Sequence, residues 1–190
     1  MTERNLLLDC LRRLNNARVD YMLTGSMACN AWGIPRTTHD LDFVVRLTPI
    51  QIPTFVAAFA SPDYRTDEAS VHAASEPPHR FHFVHLPSAL KADFWRLRPV
   101  PFEREMFSRR LQDNWFGETL WLATAEDVIL HKLYWNRTTR SHRQLGDVAG
   151  VVKVQRGHLD RSYLRRWAGE LGVSKQVEAA LSGTTKSKRT

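Results

Sequence analysis

Between Tyr21 and Arg46 the chain carries two groups of side chains suited to phosphate and metal chemistry. A short apolar run, Tyr21-Met22-Leu23-Thr24, ends at Gly25-Ser26, and the residues up to Trp32 suit a helix. A strand, tight turn and helix start leave backbone N–H groups pointing at an anion. Gly25 lets the backbone approach a ligand, and Ser26 is expected to cap the helix. Thirteen residues separate Ser26 from Asp40-Leu41-Asp42. On a strand over residues 40–45 alternate side chains share a face, so Asp40 and Asp42 lie together while Leu41 and Phe43 turn to the core. Two carboxylates roughly 5 Å apart repel by about 3 kcal/mol at an effective dielectric of about 20, and a cation relieves that. Hard oxygen ligands with open positions suit Mg²⁺ or Mn²⁺ together with phosphates. Taken singly, each half has an ordinary alternative: a strand-end pair of rim charges, and a plain turn.

The elements that must position these residues follow from periodicity. Residues 3–17 place Leu7, Cys10, Leu11 and Leu14 on one helical face. Gly33-Ile34-Pro35 stops the second helix. Residues 49–60 read as a helix with Ile52, Phe55, Val56 and Phe59 inward, and residues 67–74 as a shorter one. Phe81, Phe83 and His85 share a strand face, and residues 90–95 form its hairpin neighbour. A short helix over 102–111 ends in Arg109-Arg110, and a last strand covers 117–122. Thr124 then caps a helix that turns Val128, Ile129, Leu130 and Leu133 inward and carries Lys132. A basic linker, residues 137–143, leads to three further helices over 146–154, 160–171 and 174–181. This divides the chain into an α/β core (1–122), a helical subdomain (123–182) and a disordered tail (183–190).

Composition narrows the function classes. A hydrophobic share of 43% over 190 residues supports a real core and argues against disorder. There are 27 basic against 20 acidic residues, a net charge of +7, which favours polyanionic partners such as RNA or nucleotides; a solvated basic face is the plainer alternative. Cys10 and Cys29 have neither metal-ligand nor redox spacing, which suits free thiols in the cytoplasm. No apolar run is long enough to span a bilayer, so no membrane partner is expected, and the charged N-terminus does not read as a signal peptide. His72, His79, His82 and His85 alternate faces on a strand, which is poor zinc-site spacing; they read as surface or rim residues.

Gly25-Ser26 followed by Asp40-Leu41-Asp42 resembles the signature of the nucleotidyltransferase superfamily, which includes DNA polymerase β and the minimal nucleotidyltransferases of bacteria. Within it the likeness is to the AbiEii-type toxins and related bacterial nucleotidyltransferase-like proteins. The likeness extends from about residue 21 to about residue 173. Looser support comes from FHFVHLPSALKADF (81–94), FSRR (107–110), TAEDVILHK (124–132) and QLGDVAGVV (144–152).

The resemblance implies an α+β fold: a polymerase-β-like core of a small mixed sheet with flanking helices, plus a C-terminal helical subdomain. It implies transfer of a nucleoside monophosphate from a nucleoside triphosphate to an acceptor hydroxyl, with Mg²⁺ or Mn²⁺ as cofactor. Asp40, Asp42 and Asp93 are its implied metal ligands, Asp93 coming from a strand beside the Asp40-Leu41-Asp42 strand; the ordinary alternative for Asp93 is a strand-end charge paired with Lys91 or Arg96. Gly25, Ser26 and Lys132 are its implied nucleotide contacts. Lys132 and Asp147 join the three carboxylates as implied catalytic residues. Asp147 has an alternative as the ion-pair partner of Arg143, Arg140 or Lys132, and with Lys132 it would orient the lysine. Implied acceptors are tRNA 3′ ends or other RNA for a toxin-like protein with a cognate antitoxin, and protein side chains for an AMPylating relative. A catalytically inactive nucleotide- or RNA-binding relative is the remaining reading. Nothing in these residues separates the acceptors.

Overall fold

Strand alternation and helical stripes together build two compact units in the computed structural model, which describes residues 1–183. The tail expected to be disordered lies, from residue 184 on, outside the described residues. One unit comprises Met1–Thr24 and Thr38–Ala123; the other comprises, among the described residues, Gly25–Thr37 and residues 124–183.

The first unit is a sheet packed by helices. Its strands are β1 (Asp20–Thr24), β2 (Leu41–Arg46), β3 (Tyr64–Arg65), β4 (Arg80–His85), β5 (Leu90–Arg96), β6 (Leu111–Trp115) and β7 (Glu118–Leu122). They form one seven-stranded mixed sheet in the order β3-β4-β5-β2-β1-β7-β6. β2 runs antiparallel to β1 and parallel to β5, and β1 runs parallel to β7. The helices are α1 (Glu3–Asn16), α3 (Ile52–Phe59), α4 (Glu68–Ala73) and α5 (Pro101–Ser108).

The alternation expected for the second strand holds: Leu41 and Phe43 are fully buried while Asp42 is half-buried on the opposite face. Phe81, Phe83 and Phe94 meet Phe55 and Phe59 of α3 in one aromatic core, which Phe43 joins by stacking on Phe94. Phe55 lies edge-on to Phe94 at 5.4 Å, and Phe81 stacks on Phe94 at 5.3 Å. Such contacts contribute about 0.5–1.5 kcal/mol each beyond area burial, and the shared partner Phe94 ties β4, β5 and α3 into one block.

The second unit is helical: α2 (Gly25–Trp32), α6 (Ala125–Thr139), α7 (His142–Gln155), α8 (Arg161–Leu171) and α9 (Ser174–Leu181). Thr124 caps α6 as expected, its Oγ1 accepting from the Asp127 amide, and Val128, Ile129, Leu130 and Leu133 are buried. Where the end of α2 meets α7, a Cβ on Gly33 would lie 2.8 Å from the Val151 nitrogen, so only glycine allows this approach.

Several local expectations change. Asp40 precedes β2 instead of lying within it. β3 and β6 were not legible, because β3 has two residues and β6, Leu111-Gln112-Asp113-Asn114-Trp115, is a mostly polar edge strand. Phe116 and Gly117, both at positive φ (53° and 87°), join β6 to β7 in the kind of two-residue turn that matches sheet twist. The supposed linker 137–143 is mostly helix. Arg140 ends α6 in the left-handed conformation, and Ser141 starts α7 by accepting from the Gln144 amide. Asp147 therefore sits in the second turn of α7. His85 is buried and bonded to Ser88 Oγ at 2.7 Å, unlike the rim position expected of it.

Candidate active site

In the sheet unit, strand register brings two of the three expected carboxylates side by side. Asp42 of β2 and Asp93 of β5 are directly paired across a parallel ladder, which puts both on one face at about the 4.8 Å strand spacing. Thr24 pairs with Asp42 from β1, and His82 pairs with Asp93 from β4, so one row runs Thr24, Asp42, Asp93, His82 across four strands. Asp93 is buried at 5% exposure, and the Lys91 ammonium, two residues back on the same face, pairs with its carboxylate. Asp42 accepts from the Trp95 indole N–H at 3.5 Å. Thr24 Oγ1 is buried with no hydrogen-bond partner among the described residues. Asp40 is exposed in the segment before β2, its amide donating to Thr38 Oγ1 at 3.3 Å.

In the helical unit a second constellation forms around Asp147. Gly25, at φ 64°, opens α2, so Ser26 lies inside the first turn and not ahead of it as a cap. Ser26 Oγ accepts instead from Arg36 Nη2 at 3.0 Å and Lys132 Nζ at 3.3 Å. Asp147 receives a two-pronged contact from Arg36, 2.6 Å to Oδ1 and 2.8 Å to Oδ2, and a third bond from Lys132 at 2.7 Å. Burial alone would raise the Asp147 pKa, but the bonds and charges of Arg36 and Lys132 overcome it and hold the carboxyl below its ordinary value. Two cations over one carboxylate leave a net positive site against the Ser26 hydroxyl. Lys132 is nearly enclosed, at 11% side-chain exposure, so it is not a surface lysine.

Arg36 was missed in the sequence. Asn30 places it: its amide donates to the Arg36 carbonyl at 2.7 Å and its oxygen accepts from the Arg36 amide at 3.1 Å. The available signal was an arginine just beyond the Gly33-Ile34-Pro35 stop, beside a suspected phosphate cradle.

Among solved structures, an antigenic nucleotidyltransferase-like protein from Paracoccidioides brasiliensis superposes with a TM-score of 0.53 at 13% identity, over 93% of this chain and 91% of its own. The fold is nucleotidyltransferase-like. The antibiotic-resistance factor ANT(2'')-Ia aligns over 95% of this chain and 89% of its own at 11% identity, with a TM-score of 0.45. No family model and no curated protein matches the sequence. The likeness reaches the superfamily's fold and stops short of the AbiEii-type toxins.

A nucleotidyltransferase-like fold raises the question of a divalent cation. The paired carboxylates of Asp42 and Asp93 have the right donor chemistry for a hard cation, and the orphaned Thr24 hydroxyl beside them is a polar group that an oxygen-rich ligand would satisfy. Among the described residues no group of three His, Cys, Asp or Glu side chains converges on one such point. Two carboxylates are enough for an ion that keeps waters and substrate phosphates as its other ligands. No helix of the described residues is long and apolar enough to cross a membrane.

Proposed function

We propose that this chain is a metal-dependent nucleotidyltransferase that moves a nucleoside monophosphate from a nucleoside triphosphate to an acceptor hydroxyl. The observation that carries it is the register of Asp42 against Asp93 on adjoining strands of a nucleotidyltransferase-like fold. The acceptor oxygen attacks the α-phosphorus, the bond to the bridging oxygen breaks, pyrophosphate leaves, and the acceptor proton passes to Asp93 or to water. A Mg²⁺ or Mn²⁺ ion held by Asp42 and Asp93, with Asp40 as a further candidate ligand, would supply charge stabilisation at the reacting oxygens. Gly25, Ser26, Arg36 and Lys132 meet the phosphates, and Asp147 keeps both cations in place.

The net charge of +7 supports a polyanionic acceptor, RNA such as a tRNA 3′ end, in a toxin-like protein of the bacterial cytoplasm held by a cognate antitoxin. Transfer to a protein side chain is the alternative acceptor class. A different reading is favoured by one contact: the Lys91 ammonium already neutralises Asp93, as it would in a relative that binds nucleotide or RNA without catalysis.

Incubation with each α-labelled triphosphate, Mg²⁺ and either RNA or lysate protein tests all three. The chain should label one acceptor class, and Asp42→Asn and Asp93→Asn should each lower transfer on the order of a hundred-fold or more with the circular dichroism spectrum unchanged. Full activity in either variant refutes the assigned roles. Saturable triphosphate binding without transfer selects the inactive reading.

A further inference from the structure

The sheet face that carries Asp42 and Asp93 also carries an indole that the proposed transfer does not use. Trp95 is two residues beyond Asp93 on β5, so it points to the same side, while Phe94 between them enters the aromatic core. Its N–H is directed at Asp42 Oδ1, which pins one edge of the ring. Arg80, its register partner on β4, holds its guanidinium 5.2 Å from the ring centroid. Trp95 is half-buried and Arg80 exposed. An aromatic surface therefore stands among charged neighbours one strand step, about 7 Å, from the carboxylate row. That step matches the reach of a nucleoside from its reacting oxygen to its base.

We propose that Trp95, with Arg80, is a stacking platform for a nucleobase whose reacting end lies at Asp42 and Asp93. Every base offers a π-face, so an indole beside an arginine binds it with little sequence preference. The inference rests on the nucleotidyltransferase reading. The base has two possible sources, the incoming triphosphate and the terminal nucleoside of a nucleic-acid acceptor, and the two arms of the test separate them.

Binding is measured on the full chain without turnover. In one arm, calorimetry compares ATP with inorganic triphosphate. In the other, fluorescence anisotropy compares a 5′-labelled single-stranded RNA hexamer with the same hexamer lacking its 3′-terminal base. In at least one arm the wild type should prefer the base-bearing ligand about five-fold or more. Trp95→Phe, which keeps an aromatic face and loses the N–H, should retain most of that preference, and Trp95→Leu should abolish it. The arm in which it disappears names the source. The proposal is overturned if neither arm shows a preference, if Trp95→Leu keeps it, or if Phe loses as much as Leu, which would assign the effect to the Asp42 contact. Because no transfer is measured, an inactive result in the labelling assay leaves this outcome readable on its own.

Discussion

Asp147→Asn removes the one negative charge between two cations that have little water around them. The side chain keeps its shape, so the loss is electrostatic. Arg36 gives up a two-pronged charge-assisted contact at 2.6 and 2.8 Å, and Lys132 gives up one at 2.7 Å. Breaking a buried pair costs about 3–5 kcal/mol; Arg36, at 28% side-chain exposure, recovers some hydration, which brings the expected loss to about 2–3 kcal/mol. At roughly 2–4 °C per kcal/mol for a chain of this size, the melting temperature should fall by about 4–12 °C.

The pH dependence has a definite sign. Asp147 is held below its ordinary value of 3.8, so its contribution is fully present above the unfolded value and is lost as the pH falls through the lowered folded value. The stability gap between wild type and Asp147→Asn should thus be flat from pH 7 to about pH 5 and close progressively below about pH 4. Inorganic triphosphate supplies the missing charge and should recover part of the loss in the variant. Thermal and urea denaturation followed by circular dichroism read all of this. A melting temperature within a degree of wild type at pH 7 would show that the network holds nothing together.

Two further outcomes follow from packing. Gly33→Ala should destabilise by about 1–3 kcal/mol, because the new Cβ meets the Val151 nitrogen at 2.8 Å; Gly169→Ala, where nothing lies within 4 Å inside α8, should stabilise by up to about 1 kcal/mol, and urea midpoints compare the pair. Cys10 is fully buried with its thiol pKa pushed far up, chiefly by desolvation, and Cys29 is buried too. Neither should react with a thiol reagent at pH 7–9 in the native chain, and both should titrate in denaturant; fast native labelling would contradict the burial.

The readable parts of the chain are those set by local pattern. Alternation on β2 shows in the apolar residues Leu41 and Phe43, and the Thr24-Gly25 break shows as apolar residues giving way to a glycine that has to take a positive φ. Asp93 was placed beside the Asp40-Leu41-Asp42 strand by resemblance alone; its own segment predicted a strand and an ion pair with Lys91 or Arg96, of which the Lys91 pair forms. The illegible parts were set by partners far along the chain or by weak local signals. Arg36 and Asp147 are 111 residues apart, and no periodicity links an arginine after a proline to an aspartate on a late helix. β6 hid because an exposed edge strand needs no apolar face. The segment 137–143 looked like a linker because three of its seven residues are arginines, while its structure is the end of α6 and the start of α7, and the Ser141 cap that opens α7 is a single side chain.

Two of the buried aspartates, Asp93 and Asp147, differ in a way that sorts their roles. Asp93 is buried and matched by one ammonium on a side chain that is 45% exposed, so the lysine end of the pair is the one with access to water. Lys91 can therefore return to solvent when a competing cation or a substrate proton takes its place on the carboxylate. Asp147 is matched by two cations, each more enclosed than Lys91, and releasing either would strand a charge. A carboxylate that must exchange partners during a reaction needs the first environment, and one that must keep an arginine and a lysine aimed at phosphate needs the second. On these grounds Asp93 is suited to take part in the chemistry, and Asp147 to position the residues that do.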